Sequence, residues 1–123
     1  MSDYYYTCEF LKALLLTIAS ELPVAYFILY RHFKIKGMTV RPGRIVAAVF
    51  ICNLTTLPYL WFVYPGIIDY TSSVLCGELT AFLVEAFIYW ITTGASIYAS
   101  LLASLAANAT SMLIGLILMP PFE

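Results

Sequence analysis

Charge is scarce in this chain of 123 residues: Asp, Glu, Lys and Arg together make up 11% of it, against 63% hydrophobic residues. Soluble domains carry about 25% charged and about 45–50% apolar residues. A chain this short has too little polar surface to wrap such a core, so a water-soluble monomer is excluded. Disorder needs the opposite composition and is excluded with it. Basic residues are fewer still, 6 against 7 acidic ones, which leaves no polycationic surface for nucleic acid. Histidine occurs once, as His32, and Cys8, Cys52 and Cys76 lack the spacing of a zinc or iron–sulfur motif, so no metal and no cofactor is expected. The chain has no phosphate-binding glycine loop, no nucleophile elbow and no HExxH. With no nucleophile–base pair to assemble, an enzyme is not expected.

What is there is length of apolar run. No charged residue occurs between Arg44 and Asp69, and none between Glu85 and Glu123. A bilayer core about 30 Å thick needs about 20 mostly apolar helical residues to cross it. Four such spans are expected, at about 10–30, 45–64, 74–93 and 96–118, as one transmembrane domain over 1–123. The fold class is therefore an all-α, integral membrane four-helix bundle. The apolar runs are continuous instead of alternating, which argues against a membrane β-barrel. Punctuation falls between the spans: Gly37 and Arg41-Pro42-Gly43-Arg44, then Tyr64-Pro65-Gly66, then the short Thr92-Thr93-Gly94-Ala95. The amino-terminal stretch begins Ser2-Asp3-Tyr4 and is interrupted by Lys12 and Glu21, unlike a cleavable signal, so the first span is expected to be retained.

Arg31, Lys34, Lys36, Arg41 and Arg44 are five of the six basic residues, and all lie between the first two spans. The positive-inside bias places that loop in the cytoplasm and both termini outside the cell membrane. The loop can also touch anionic headgroups. Lys12 then sits near the outer end of the first span and can snorkel to headgroups. Aromatic residues fit this frame, with Tyr4, Tyr5, Tyr6, Tyr59, Trp61, Tyr64 and Tyr70 towards the outer interface and Tyr30, Trp90 and Tyr98 towards the inner one. Cys8 and Cys76 both map to the outer side, where a disulfide is conceivable.

Spans two and four align on their asparagines. Cys52-Asn53-Leu54-Thr55-Thr56 stands beside Ala107-Asn108-Ala109-Thr110-Ser111, each with Thr two residues after Asn and a second hydroxyl after that. Glu21 and Glu85 occupy comparable depths in spans one and three. The halves then form two parallel helix-hairpin repeats, related by a pseudo-two-fold along the membrane normal; a chance match is the rival reading. Asn53-Leu54-Thr55 and Asn108-Ala109-Thr110 match the glycosylation pattern but lie at membrane depth, out of reach of that modification.

An ionised side chain at mid-bilayer costs about 2.5–3.5 kcal/mol on insertion scales. Glu21 and Glu85 are therefore expected to be neutral or paired with donors, with Asn53, Asn108, Thr55 and Thr110 as candidate partners at similar depth. Either they bind a proton, cation or amine, or they lock the helices together by hydrogen bonds. Glu78, two turns before Glu85, either begins an acidic path or is merely interfacial. Ala99, Ala103, Ala107, Ser111 and Gly115 recur at four-residue intervals on span four, a face suited to close helix contact inside the bundle or with another subunit. Pro23 and Pro58 lie inside spans one and two, as static kinks or as hinges, and Thr55 and Thr56 are candidates to satisfy carbonyls freed by Pro58.

The stretches Asn53-Leu54-Thr55-Thr56-Leu57-Pro58, Glu85-Ala86-Phe87-Ile88-Tyr89 and Ala107-Asn108-Ala109-Thr110-Ser111 resemble those of a loose group of short prokaryotic four-helix membrane proteins. The resemblance covers under half the chain and implies a fold, with no activity attached. Two functions stand open. One is a non-catalytic subunit of a larger membrane complex, of the ion-translocating or electron-transport kind. The other is a small oligomeric proton- or cation-coupled transporter or channel using Glu21 and Glu85. The partners are the lipid bilayer and either other membrane subunits or further copies of the chain.

Overall fold

In lipid a backbone must close its own hydrogen bonds, and the continuous apolar runs do so as helices. The computed structural model describes residues 3–39, 41–63, 66–67 and 69–118. They form α1 (Asp3–Ile35), α2 (Pro42–Pro58) continued by a π-helical segment (Tyr59–Val63), α3 (Tyr70–Thr93) and α4 (Ile97–Leu118). All four are long and apolar enough to cross a membrane, and no strand occurs among the described residues. α1 runs past both ends of the expected span, and at 33 residues it is about 50 Å long by the rise of 1.5 Å per residue. Tyr64 and Pro65, named above as outer-interface and turn residues, lie outside the described residues, as does the side chain of Tyr70.

The helix ends follow local chemistry. Pro42 stands in the first turn of α2, where its missing N–H would have had no partner anyway. Asp69 caps α3 by accepting from the Ser72 backbone N–H at 3.4 Å. Its carboxyl is held below the usual carboxylate range by hydrogen bonds from Ser72. Gly94 ends α3 in the left-handed region at φ 77°, which a side chain would strain, and α4 starts three residues later.

The helices pack in a ring in chain order, α1 against α2 and α4, and α3 against α2 and α4. Neighbours are antiparallel. Tyr6 and Phe10 at the start of α1 meet Trp61 and Phe62, with Phe10 and Phe62 rings 4.9 Å apart. At the other end Arg44 donates to the Thr92 carbonyl at 3.3 Å, and the Ser96 N–H reaches His32 Nε2 at 3.5 Å. The α1–α2 and α3–α4 hairpins therefore run in the same sense, as they do in any antiparallel ring of four helices.

Pro58 has no N–H for the Leu54 carbonyl, and the α-helix gives way to the wider π-helical turn directly after it. An α-helical Trp61 carbonyl would look to position 65, which is again proline. The Tyr6 hydroxyl donates to that carbonyl instead. Thr56 bonds the Cys52 carbonyl, so it is not the group that relieves Leu54.

The core runs along the ring axis. Leu29, Ile45, Ala48 and Val49, all 0% exposed, fill the half nearest the basic loop, with Phe33 beside them. Ala99, Ala103 and Ala107 of α4 are buried inside the bundle, while Ser111 and Gly115 are half-buried. Most of the small-residue face is thus consumed within the chain. Leucine, isoleucine and phenylalanine side chains on the outer faces, among them Leu15, Phe27, Leu54, Leu83, Leu105 and Ile117, are exposed for lipid contact.

Candidate functional site: a buried carboxyl pair

Antiparallel packing brings the middle of α1 against the middle of its neighbours, and Glu21 arrives there 1% exposed. Its carboxyl accepts from Asn53 Nδ2 at 3.3 Å across the α1–α2 seam. Asn53 is held in turn by donating to the Val49 carbonyl at 2.9 Å. Ser111 of α4 also faces Glu21. From α3 comes Glu85, equally buried, whose carboxyl lies beside both Glu21 and Asn108. Asn108 is held as Asn53 is, donating to the carbonyl four residues back, Ser104, at 2.9 Å. The two hairpins thus each deliver one Glu and one Asn to the same place.

The symmetry stops at the hydrogen bonds. Neither oxygen of Glu85 has a donor in hydrogen-bonding geometry, and the hydroxyls of Tyr89 and Ser100 are likewise buried without partners. Such groups cost about 1–3 kcal/mol each when left unsatisfied in a protein interior. Tyr89, one turn after Glu85, interacts with both carboxyls and with Cys52, whose thiol meets the Glu85 carbonyl oxygen at 3.7 Å. Glu78 is half-buried and interacts electrostatically with both members of the pair. No basic side chain stands among these partners. Two anionic carboxylates side by side in an apolar core repel, so at least one proton or cation must accompany them.

Of the residues proposed from sequence, Glu21, Glu85, Asn53 and Asn108 come together. Thr55 does not: it is exposed on the bundle surface. Residues two apart on a helix point apart, whereas residues three apart share a face, so the hydroxyls on the Asn faces are the buried Thr56 and the half-buried Ser111. Thr110 is half-buried and spends its hydroxyl on the Ala106 carbonyl at 2.8 Å. Tyr89, Cys52 and Ser100 were missed, although Tyr89 follows Glu85 by four residues and that spacing alone puts it on the same face. Cys8, Cys52 and Cys76 are all free thiols. The basic side chains Arg31, Lys34, Lys36, Arg41 and Arg44 are exposed at the opposite end from Tyr6 and Trp61. Among the described residues no group of three or more His, Cys, Asp and Glu gathers to hold a metal ion.

Two hollows mark the outer surface. A cleft of about 240 Å³ between α2 and α3 is lined by Thr55, Thr56, Gly77, Thr80, Ala81 and neighbouring apolar groups. An open groove of about 540 Å³ on α1 is lined by Leu22, Pro23, Tyr26, Phe27 and Tyr30. Comparison with protein-family models, with curated proteins and with solved structures finds no match to this chain.

Proposed function

We propose that this multi-pass membrane protein binds a proton or a small monovalent cation at the Glu21–Glu85 pair, and that as an oligomer it couples this binding to passage across the membrane. The supporting observation is the meeting of two buried carboxyls from α1 and α3 with no basic partner and with both Glu85 oxygens unpaired. A purely structural lock would satisfy its acceptors, as Asn53 does for Glu21. The copies of an oligomer would supply the pathway between them. The test is ion flux in proteoliposomes. Wild-type protein should carry a proton or alkali-cation flux that the double variant Glu21→Gln/Glu85→Gln reduces at least tenfold while still inserting and purifying normally. Equal flux in both would refute the reading.

A second reading, a non-catalytic subunit of a larger ion-translocating or electron-transport complex, draws on the open groove of α1, which a neighbouring helix would fill. The burial of Ala99, Ala103 and Ala107 within the bundle leaves less of the small-residue face for such a partner. Mild detergent extraction and native electrophoresis separate the two readings: a homo-oligomer favours the first, and a stable complex with a different membrane protein the second.

A further inference from the structure

We propose that Glu78 is the port of the carboxyl pair: protons reach Glu85 through it, from the end of the bundle opposite the basic loop. This rests on the reading of the pair as a proton site.

Glu78 precedes Glu85 by two turns on one face of α3, about 10 Å of helical rise. It alone of the three carboxyls is half-buried, and it interacts with both of the others. The Cα–Cβ bond of a helical residue tilts towards the helix N-terminus. α1 and α3 both begin at the end that carries Tyr6 and Asp69, so all three carboxyls lean towards that end and Glu78 points to its mouth. Between Glu78 and the pair stand the small Ala81 on α3 and the half-buried Ser111 on α4, with the buried Leu57 of α2 beside them. The cleft between α2 and α3 opens beside Ala81 and Thr56 at this same level.

Among the described residues the other direction offers no carboxyl. Beyond Glu85 the unpartnered hydroxyls of Tyr89 and Ser100 form a short polar end to the site. Leu29, Phe33, Ile45, Ala48 and Val49 then pack the axis with apolar side chains, and the buried Thr93 among them donates its hydroxyl to the Tyr89 carbonyl at 2.6 Å. The ionisable groups facing the pair are Glu78 and Tyr89 from α3 and Cys52 from α2; α4 brings Asn108 and Ser111, which do not titrate. Of these, Glu78 alone is only half-buried. The separation exceeds a direct hydrogen bond, so water carries the proton from the protonated Glu78 carboxyl to the Glu85 carboxylate. The step leaves Glu78 anionic and Glu85 neutral, and Glu78 recovers its proton from the adjoining aqueous phase.

The test is time-resolved infrared spectroscopy of reconstituted protein after a pH jump, following the carbonyl stretch of a protonated buried carboxyl. The band is assigned by its loss in Glu85→Gln or Glu21→Gln. Glu78→Gln should slow its appearance at least tenfold and leave its final amplitude at saturating acid pH unchanged, and Glu78→Asp should restore most of the rate. A wild-type rate in Glu78→Gln overturns the port and leaves the pair standing. A final amplitude lost in Glu78→Gln at saturating acid pH also overturns it, because a port sets rate and not the number of protons bound. If no band depends on Glu21 or Glu85, the pair itself is not a proton site and the proposed function fails with it.

Discussion

At the level of single side chains, Asn53 is the clearest structural element of the site. Its amide ties the Val49 carbonyl to the Glu21 carboxyl and so joins α1 to α2. Replacing it by Leu removes that donor and leaves Glu21 with Ser111 alone facing it in the core. Interhelical polar bonds in membranes average about 0.6 kcal/mol and reach about 1.7, and an orphaned acceptor adds to that loss. Asn53→Leu should destabilise the bundle by about 1–2 kcal/mol, read from steric-trap or denaturant unfolding in detergent. Asn108→Leu should cost less, because no oxygen of Glu85 takes a well-formed bond from it. Equal losses would mean that the two carboxyls are held alike. Glu21, Glu85, Asn53 and Asn108 were legible in the sequence because polar groups stand out against long apolar runs. Tyr89 and Cys52 were not, since aromatic and thiol side chains are common fillers in any membrane helix. Thr55 was misplaced because an alignment by type ignores the rotation of 100° per residue, which puts Thr56 on the Asn face.

At the level of helices, α4 explains why the bundle is tight. Ala103 is 0% exposed, and Ser104 beside it donates to the Phe82 carbonyl of α3 at 2.7 Å. Small side chains there let the backbones approach closely enough for that bond. Ala103→Leu should force the helices apart and destabilise by about 1–3 kcal/mol, the range for overpacking a filled interior. Gly115→Leu, where an added Cβ would meet nothing within 4 Å, should be tolerated. Thermal unfolding of the two variants in the same detergent tells them apart, and equal midpoints would contradict this packing. The four-residue period of α4 was visible in sequence. Which partner it meets was not, because a small-residue face serves a neighbour inside the chain as well as one outside it. The π-helical segment was only half legible: Pro58 announces a disturbance, but the form it takes depends on Tyr6, fifty-five residues from Trp61 in the chain.

For the molecule as a whole, four rods, their order and the antiparallel ring follow from charge-free lengths and short connections. The orientation in the membrane rests on the basic residues between α1 and α2. A Lys36→Cys variant lacking its native thiols should resist an impermeant thiol reagent in intact cells and react after lysis, whereas labelling of intact cells would invert the topology. The ring also carries an order of assembly. Only residues 94–96 join α3 to α4, so these two helices meet while the loop-closure cost is smallest, and the longer connection brings α1 onto α2 with little more delay. The seam between α1 and α4 joins the most distant parts of the chain and is sealed last. A nascent copy halted before that seam shuts would hold an open, alanine-lined furrow towards the lipid, a ready seat for the first helix of a sister chain. Two chains exchanging their leading helices would thus rebuild every contact of the monomer, and the same geometry that makes the bundle compact would make such an exchanged pair its nearest competitor.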